Sequence, residues 1–192
     1  MAECEALSTD VATTGAANDD LAAMIRTIPD FPKPGIMFRD ITTLLLDPKG
    51  LATTVERMVA AVDGPIDLIA GIEARGFLFA AAIAVPLGAG VLLIRKDGKL
   101  PGATIAEDYA LEYGTDRIAM HEDALVPGQR VLLVDDLIAT GGTARAAIRL
   151  LKKAGAVVTQ AQFLVDLPDL GGADALRGDG IEVRSLVAFG GH

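Results

Sequence analysis

Tryptophan is absent from this chain of 192 residues, and tyrosine and phenylalanine together number eight. So few rings leave little to build the stacking platforms that hold single-stranded nucleic acid. Basic excess is lacking too: 17 Lys and Arg face 26 Asp and Glu, a formal net charge of −9. A nucleic-acid binder needs a basic face, so no nucleic-acid partner is expected. Cys4 is the sole cysteine, which excludes an intrachain disulfide and cysteine-based metal spacings. A cytoplasmic setting is the simplest expectation. The two histidines, His121 and His192, have no partner at metal-ligand or triad spacing and receive no role. The first twenty residues carry no Lys or Arg and no apolar stretch, so they do not read as a signal peptide.

One uncharged run, residues 76–94 (GFLFAAAIAVPLGAGVLLI), approaches the roughly 20 residues that a spanning helix needs. Pro86, Gly88 and Gly90 interrupt it. A buried helix, a turn and a short strand fit it better, and no membrane span is expected.

What the chain does have is a regular alternation of strand and helix patterns. Residues 1–18 are small and polar and predict a disordered tail; residues 19–192 predict one domain. Asp19 and Asp20 cap a helix with Leu21, Met24, Ile25 and Ile28 on one face. Pro32, Pro34 and Gly35 shape a loop, and Leu51, Val55, Met58, Val59 and Val62 recur at helical spacing. Short apolar strands are predicted at residues 66–70, 91–94, 131–134, 157–165 and 181–187. Residues 99–120 mix glycines with alternating stretches and predict an exposed hairpin or flap. The pattern predicts an α/β fold with a mostly parallel sheet flanked by helices, whose ligands sit at the carboxyl ends of the strands.

The most informative segment is residues 131–143, VLLVDDLIATGGT. Four apolar residues read as a strand buried on both faces. Asp135 and Asp136 follow, and adjacent carboxylates repel unless a cation, water or sugar hydroxyls meet them. Ala139, Thr140, Gly141, Gly142 and Thr143 then lead into a helix at residues 144–154. Glycine permits a tight turn and close backbone approach, and the new helix offers unpaired N–H groups. Two threonine hydroxyls complete a pocket suited to a monoester phosphate. No lysine follows the glycines and the glycines are adjacent, so neither GxxxxGK[ST] nor GxGxxG is present.

This segment resembles the phosphoribosyl pyrophosphate signature of the type I phosphoribosyltransferases. The resemblance implies their fold, with a small N-terminal hood at residues 31–45 and a flap at 99–120. It implies that Asp135 and Asp136 hold the ribose hydroxyls and that residues 139–143 hold the 5-phosphate. Further segments, FPKPGIMFRDITTLL, GIEARGFLF, IRKDGKLP and YALEYG, resemble the adenine-using members in the same order, from about residue 20 onward. By that resemblance Glu73, Ala74, Arg75 and Gly76 form a pyrophosphate loop with a cis peptide at Glu73–Ala74. Arg95 and Lys99 would also meet pyrophosphate, while Lys96 stays unassigned. Met37, Phe38 and Arg39 would meet adenine, and Glu112 on the flap would manage the purine proton. The same resemblance implies Mg²⁺ held mainly through substrate and water, and a homodimer. The expected reaction makes AMP and pyrophosphate from adenine and phosphoribosyl pyrophosphate. The alternatives are a 6-oxopurine transferase and a non-catalytic sensor of the activated ribose; the latter calls for an added DNA-binding domain that the acidic composition does not favour.

Overall fold

The computed structural model describes residues 18–110 and 115–191. Seven strands form the main sheet: β3 (Leu68–Ile72), β4 (Gly90–Lys96), β5 (Thr104–Ala110), β6 (Thr115–His121), β7 (Arg130–Ile138), β8 (Val157–Asp166) and β9 (Glu182–Ala188). Their order is β5-β6-β4-β3-β7-β8-β9. The five strands from β4 to β9 run parallel, while β6 pairs antiparallel with both β4 and β5. A separate small sheet joins β1 (Arg26–Ile28) to β2 (Phe38–Asp40).

Both faces of the parallel strands are covered, which is why they read as unbroken apolar runs. Alternate residues take opposite sides. Val131 and Leu133 pack with Ala147, Ile148 and Leu151 of α5 (Gly142–Lys153) and with Leu176 of α6 (Gly172–Gly178). Leu132 and Val134 pack with Phe79 and Ile83 of α4 (Gly76–Leu87), Met58 of α3 (Pro48–Ala60), Leu44 of α2 (Thr42–Leu46) and Leu21 of α1 (Asp19–Ala23). The uncharged run resolves as expected: α4, a left-handed Gly88, then β4. Among the described residues no helix is long and apolar enough to cross a membrane. Asp47 starts α3 by accepting the Gly50 N–H at 2.7 Å, with Pro48 in the first turn, a favoured arrangement.

Several local expectations shift. The first helix stops at Ala23, and Ile28 lies in β1, because residues 26–28 pair with 38–40. Asn18, placed in the tail by its composition, donates to Leu186 O at 2.7 Å and accepts from Arg57. Residues 1–17 lie outside the described part. The strand expected at 66–70 runs instead over Leu68–Ile72, in register with β4 up to Ile94. Short α2 and α6 were not foreseen; five and seven residues are too few for periodicity to reveal.

Two ion pairs tie distant segments together. Arg26 of β1 meets Asp40 of β2, and Arg130 at the start of β7 grips Asp67 at 2.6 and 2.9 Å. The arginines, with further hydrogen bonds, hold each carboxyl down at about 2. A depressed native pKa stabilises above the ordinary carboxylate value and loses that contribution as pH falls through the native one. Urea midpoints are therefore expected to drop between pH 3.8 and about 2, and Asp67→Asn is expected to flatten part of that drop. An unchanged acid slope in Asp67→Asn refutes the assignment.

Candidate active site

A cavity of about 370 Å³ opens at the carboxyl ends of β3 and β7. One wall is Glu73, Ala74 and Arg75; the other is Asp135, Asp136 and residues 137–144. The location is where ligands bind in open parallel sheets.

The glycine loop owes its shape to one conformation and one neighbour. Gly141 has φ +78°, a left-handed value that glycine alone takes freely. A Cβ there would also lie 3.0 Å from the Cα of Gly172. From the other side Gly172 donates to Ala139 O at 3.0 Å, and a Cβ on it would collide with that oxygen and with the Gly141 nitrogen. The first residue of α6 thus props the loop from beneath. The loop delivers the first turn of α5, whose free N–H groups and dipole favour an anion.

Asp135 and Asp136 lie inside β7, which continues to Ile138; the expectation that the strand ends before them was wrong. Pairing with β8 extends to Ile138 opposite Asp166, and this holds both acids on rigid backbone. Burial, and next the charge of Asp136, push the Asp135 carboxyl well above its ordinary value. Burial raises Asp136 too, opposed by the Arg75 guanidinium, whose Nε sits 2.9 Å from its Oδ2. Acids shifted by burial and by a charge partner at the mouth of a cavity mark a candidate ligand site.

The opposite wall is packed just as tightly. The Glu73–Ala74 peptide is cis, as the resemblance implied. A Cβ on Gly76 would lie 2.8 Å from Asp135 Oδ1 and 2.9 Å from Val134 O, so only glycine lets α4 start this close to β7. Arg75 spans the two walls, and its guanidinium carbon also sits 5.7 Å from the Phe38 ring centroid. Phe31 meets Phe38 edge-on at 5.1 Å. Met37 stays exposed beside them.

Other residues singled out from the sequence lie elsewhere. Arg95 pairs with Glu73 at 2.8 and 3.2 Å and donates to Lys99 O at 2.9 Å, so it braces the loop from outside the cavity lining. Lys99 sits in a turn, donating its N–H to Lys96 O, and does not line the cavity. Lys96, unassigned from the sequence, does line it, together with Tyr109. Strand alternation was the available signal: neighbours on β4 point to opposite faces, so Arg95 and Lys96 cannot both face the cavity. Arg39 turns from its neighbour Phe38 to bond Thr27 Oγ1 at 2.6 Å and the Gly190 and Gly191 carbonyls at 3.2 Å, over the Phe189 ring. Its side chain is a structural clamp, which leaves only its backbone for a base. Glu112 and Tyr113 lie outside the described residues. Among those described, no group of three or more His, Cys, Asp or Glu could hold a metal ion.

A doubly covered parallel sheet with a phosphate-sized helix end beside two adjacent acids is the architecture of a phosphoribosyltransferase, and residues 45–173 match the model of the phosphoribosyl transferase domain. Over 174 residues the chain is 58% identical to the adenine phosphoribosyltransferase of Rhodopseudomonas palustris, covering 90% of this chain and 96% of that one. The crystal structure of the Thermoanaerobacter pseudethanolicus adenine phosphoribosyltransferase superposes with a TM-score of 0.86 at 47% identity, over 90% of this chain and 100% of that one. The Giardia lamblia enzyme, solved with 9-deazaadenine, gives 0.84 at 35% identity over 89% and 97%. The chain belongs to the adenine phosphoribosyltransferase family.

Proposed function

We propose that this chain makes AMP and pyrophosphate from adenine and phosphoribosyl pyrophosphate, with the sugar phosphate lying along the 370 Å³ cavity. The observation that carries the reading is the opposition of two anion-suited walls across a pair of adjacent acids, Asp136 buried and Asp135 partly so. Residues 139–143 hold the 5-phosphate through backbone N–H groups and threonine hydroxyls. Asp135 and Asp136 accept hydrogen bonds from the ribose hydroxyls. Glu73–Gly76, with Arg75 and Lys96, faces the pyrophosphate. Met37 and Phe38 form the apolar side of the base pocket, with the backbone of Arg39. The 9-deazaadenine in the Giardia enzyme supports a purine there.

Adenine N9 attacks the anomeric carbon, the bond from that carbon to the pyrophosphate oxygen breaks, and the N9 proton passes to a base. Glu112 is proposed for that proton. The sugar passes through an oxocarbenium-like state, as in other glycosyl chemistry. The chain's residues act by positioning and by meeting the charge that develops on the leaving group. Mg²⁺ would be held mainly through substrate and water, with Asp135 or Asp136 beside it, since this ion keeps several waters and commonly adds only one or two carboxylates to substrate phosphates. Held beside those acids, the ion would supply positive charge to the leaving group. The β5–β6 hairpin serves as a flap that keeps water from the activated sugar.

A homodimer belongs to the same reading. It is supported by an apolar groove of about 610 Å³ between α3 and α4, lined by Leu51, Val55, Val59, Val85 and Pro86, where Val85 is 81% exposed. Such a patch is a recognised mark of an interface. A cytoplasmic location is proposed with it.

A coupled assay tests the chemistry. AMP is expected from adenine and phosphoribosyl pyrophosphate, dependent on Mg²⁺, with hypoxanthine and guanine at least about 100-fold poorer because a site matched to one exocyclic group leaves unpaired polar atoms with the other. Faster turnover of hypoxanthine or guanine overturns the choice of base.

A further inference from the structure

Three cations near the pyrophosphate end are paired with carboxylates: Arg75 with Asp136, Arg95 with Glu73, and Lys96 with Asp116 at 3.1 Å. The first ties the residue before α4 to β7, and the second ties the Glu73 loop to β4. The third differs, because Asp116 belongs to β6 of the hairpin. Its position follows from register. Lys96 lies opposite Ile118 in the β4–β6 pairing, and Asp116 is two residues along on the same face. Tyr109 is directly opposite Asp116 in the β5–β6 pairing and donates its hydroxyl to the same Oδ2 at 3.1 Å. Two donors therefore hold one carboxylate oxygen beside the cavity that Lys96 and Tyr109 line.

Resting on the proposed function, we infer that Asp116 is a positioning residue that holds the Lys96 ammonium beside the cavity and moderates its grip on pyrophosphate. The Lys96 side chain is 64% exposed and Asp116 is 26% exposed. An exposed pair of this kind contributes little and costs little to part. Pyrophosphate carries several negative charges, so it draws the ammonium away from a single carboxylate. When pyrophosphate leaves, Asp116 takes the ammonium back. Both groups stay ionised at neutral pH: the Arg117 N–H and then Lys96 hold Asp116 below the usual carboxylate range, and Asp116 raises Lys96. The cost of this device is weaker pyrophosphate binding, and the gain is faster release.

The test is calorimetric binding of pyrophosphate, with Mg²⁺ present, to the full chain and three variants. Asp116→Asn keeps the shape and removes the charge. It is expected to bind pyrophosphate roughly two- to fivefold more tightly, the range of an exposed ion pair. Pyrophosphate is expected to become a stronger product inhibitor in the same proportion. In a Lys96→Met background, Asp116→Asn is expected to change the pyrophosphate Kd by much less, since the partner is gone. Unchanged or weaker binding by Asp116→Asn, or an equal effect with and without Lys96, overturns the inference. AMP synthesis by the unmodified chain is measured alongside; its absence counts against the proposed function, whereas the pyrophosphate titrations judge Asp116 by themselves.

Discussion

Asp135→Asn combined with Asp136→Asn is expected to lower kcat/KM by about 10²–10⁴ while raising the melting temperature at neutral pH. The size follows from two hydrogen bonds to charged groups at roughly 1.5–3 kcal/mol each. The opposite sign for stability follows from the carboxyls themselves. Burial raises both above their ordinary value, so folding works against their ionised forms. A carboxylate with a raised native pKa makes the native state bind more protons than the unfolded one, and stability rises as pH falls toward that native value. The double variant has no such penalty and is expected to lose that part of the pH dependence. Arg75 loses its partner in the exchange, but its side chain is 39% exposed and can be solvated. Thermal melts at pH 7 and steady-state kinetics check both halves. Near-normal kcat/KM disproves the ribose assignment; a lower melting temperature disproves the account of the burial cost.

Gly172→Ala, on a helix that does not line the cavity, is expected to lower kcat/KM for phosphoribosyl pyrophosphate by about 100-fold, the effect of displacing a binding group by roughly 1 Å. The added methyl meets backbone on the far side, Ala139 O and the Gly141 nitrogen, and backbone has no rotamer with which to yield. The phosphate loop has to move. Overpacking of this kind also costs about 1–3 kcal/mol of stability. The loss is expected mainly in KM for the sugar phosphate, with adenine binding less affected because Phe38 belongs to the small β1–β2 sheet. A wild-type KM for the sugar phosphate would show that the loop keeps its shape without support from α6.

These two sites differ in how far the sequence revealed them. The acids and the glycine loop were legible because their chemistry is local. Four apolar residues, two carboxylates and a glycine turn before a helix all act within 13 residues of chain. Gly172 was not legible, because nothing near residues 168–174 says what those residues pack against. The same division runs through the basic cluster. The sequence identified Arg95, Lys96 and Lys99, and alternation along β4 separates Arg95 from Lys96, yet only the pairing of β4 with β3 and β6 decides which of the two faces the cavity. Arg39 shows the converse: its neighbour Phe38 is beside Arg75, while its own guanidinium is drawn to carbonyls more than 150 residues away.

By itself the sequence determined the α/β class, the strand-to-helix turn that suits a phosphate, and the family resemblance that points to adenine. Those features depend on side-chain alternation, backbone freedom at glycine and the spacing of charges along a few turns of chain. The tertiary structure alone decided that β7 carries its two acids inside the strand, that Arg75 meets Asp136, that α6 supports the loop, and that Asp116 meets Lys96. Each is a contact between segments distant in sequence or across strands, set by sheet register and helix packing, and neither is a property of any short stretch of residues.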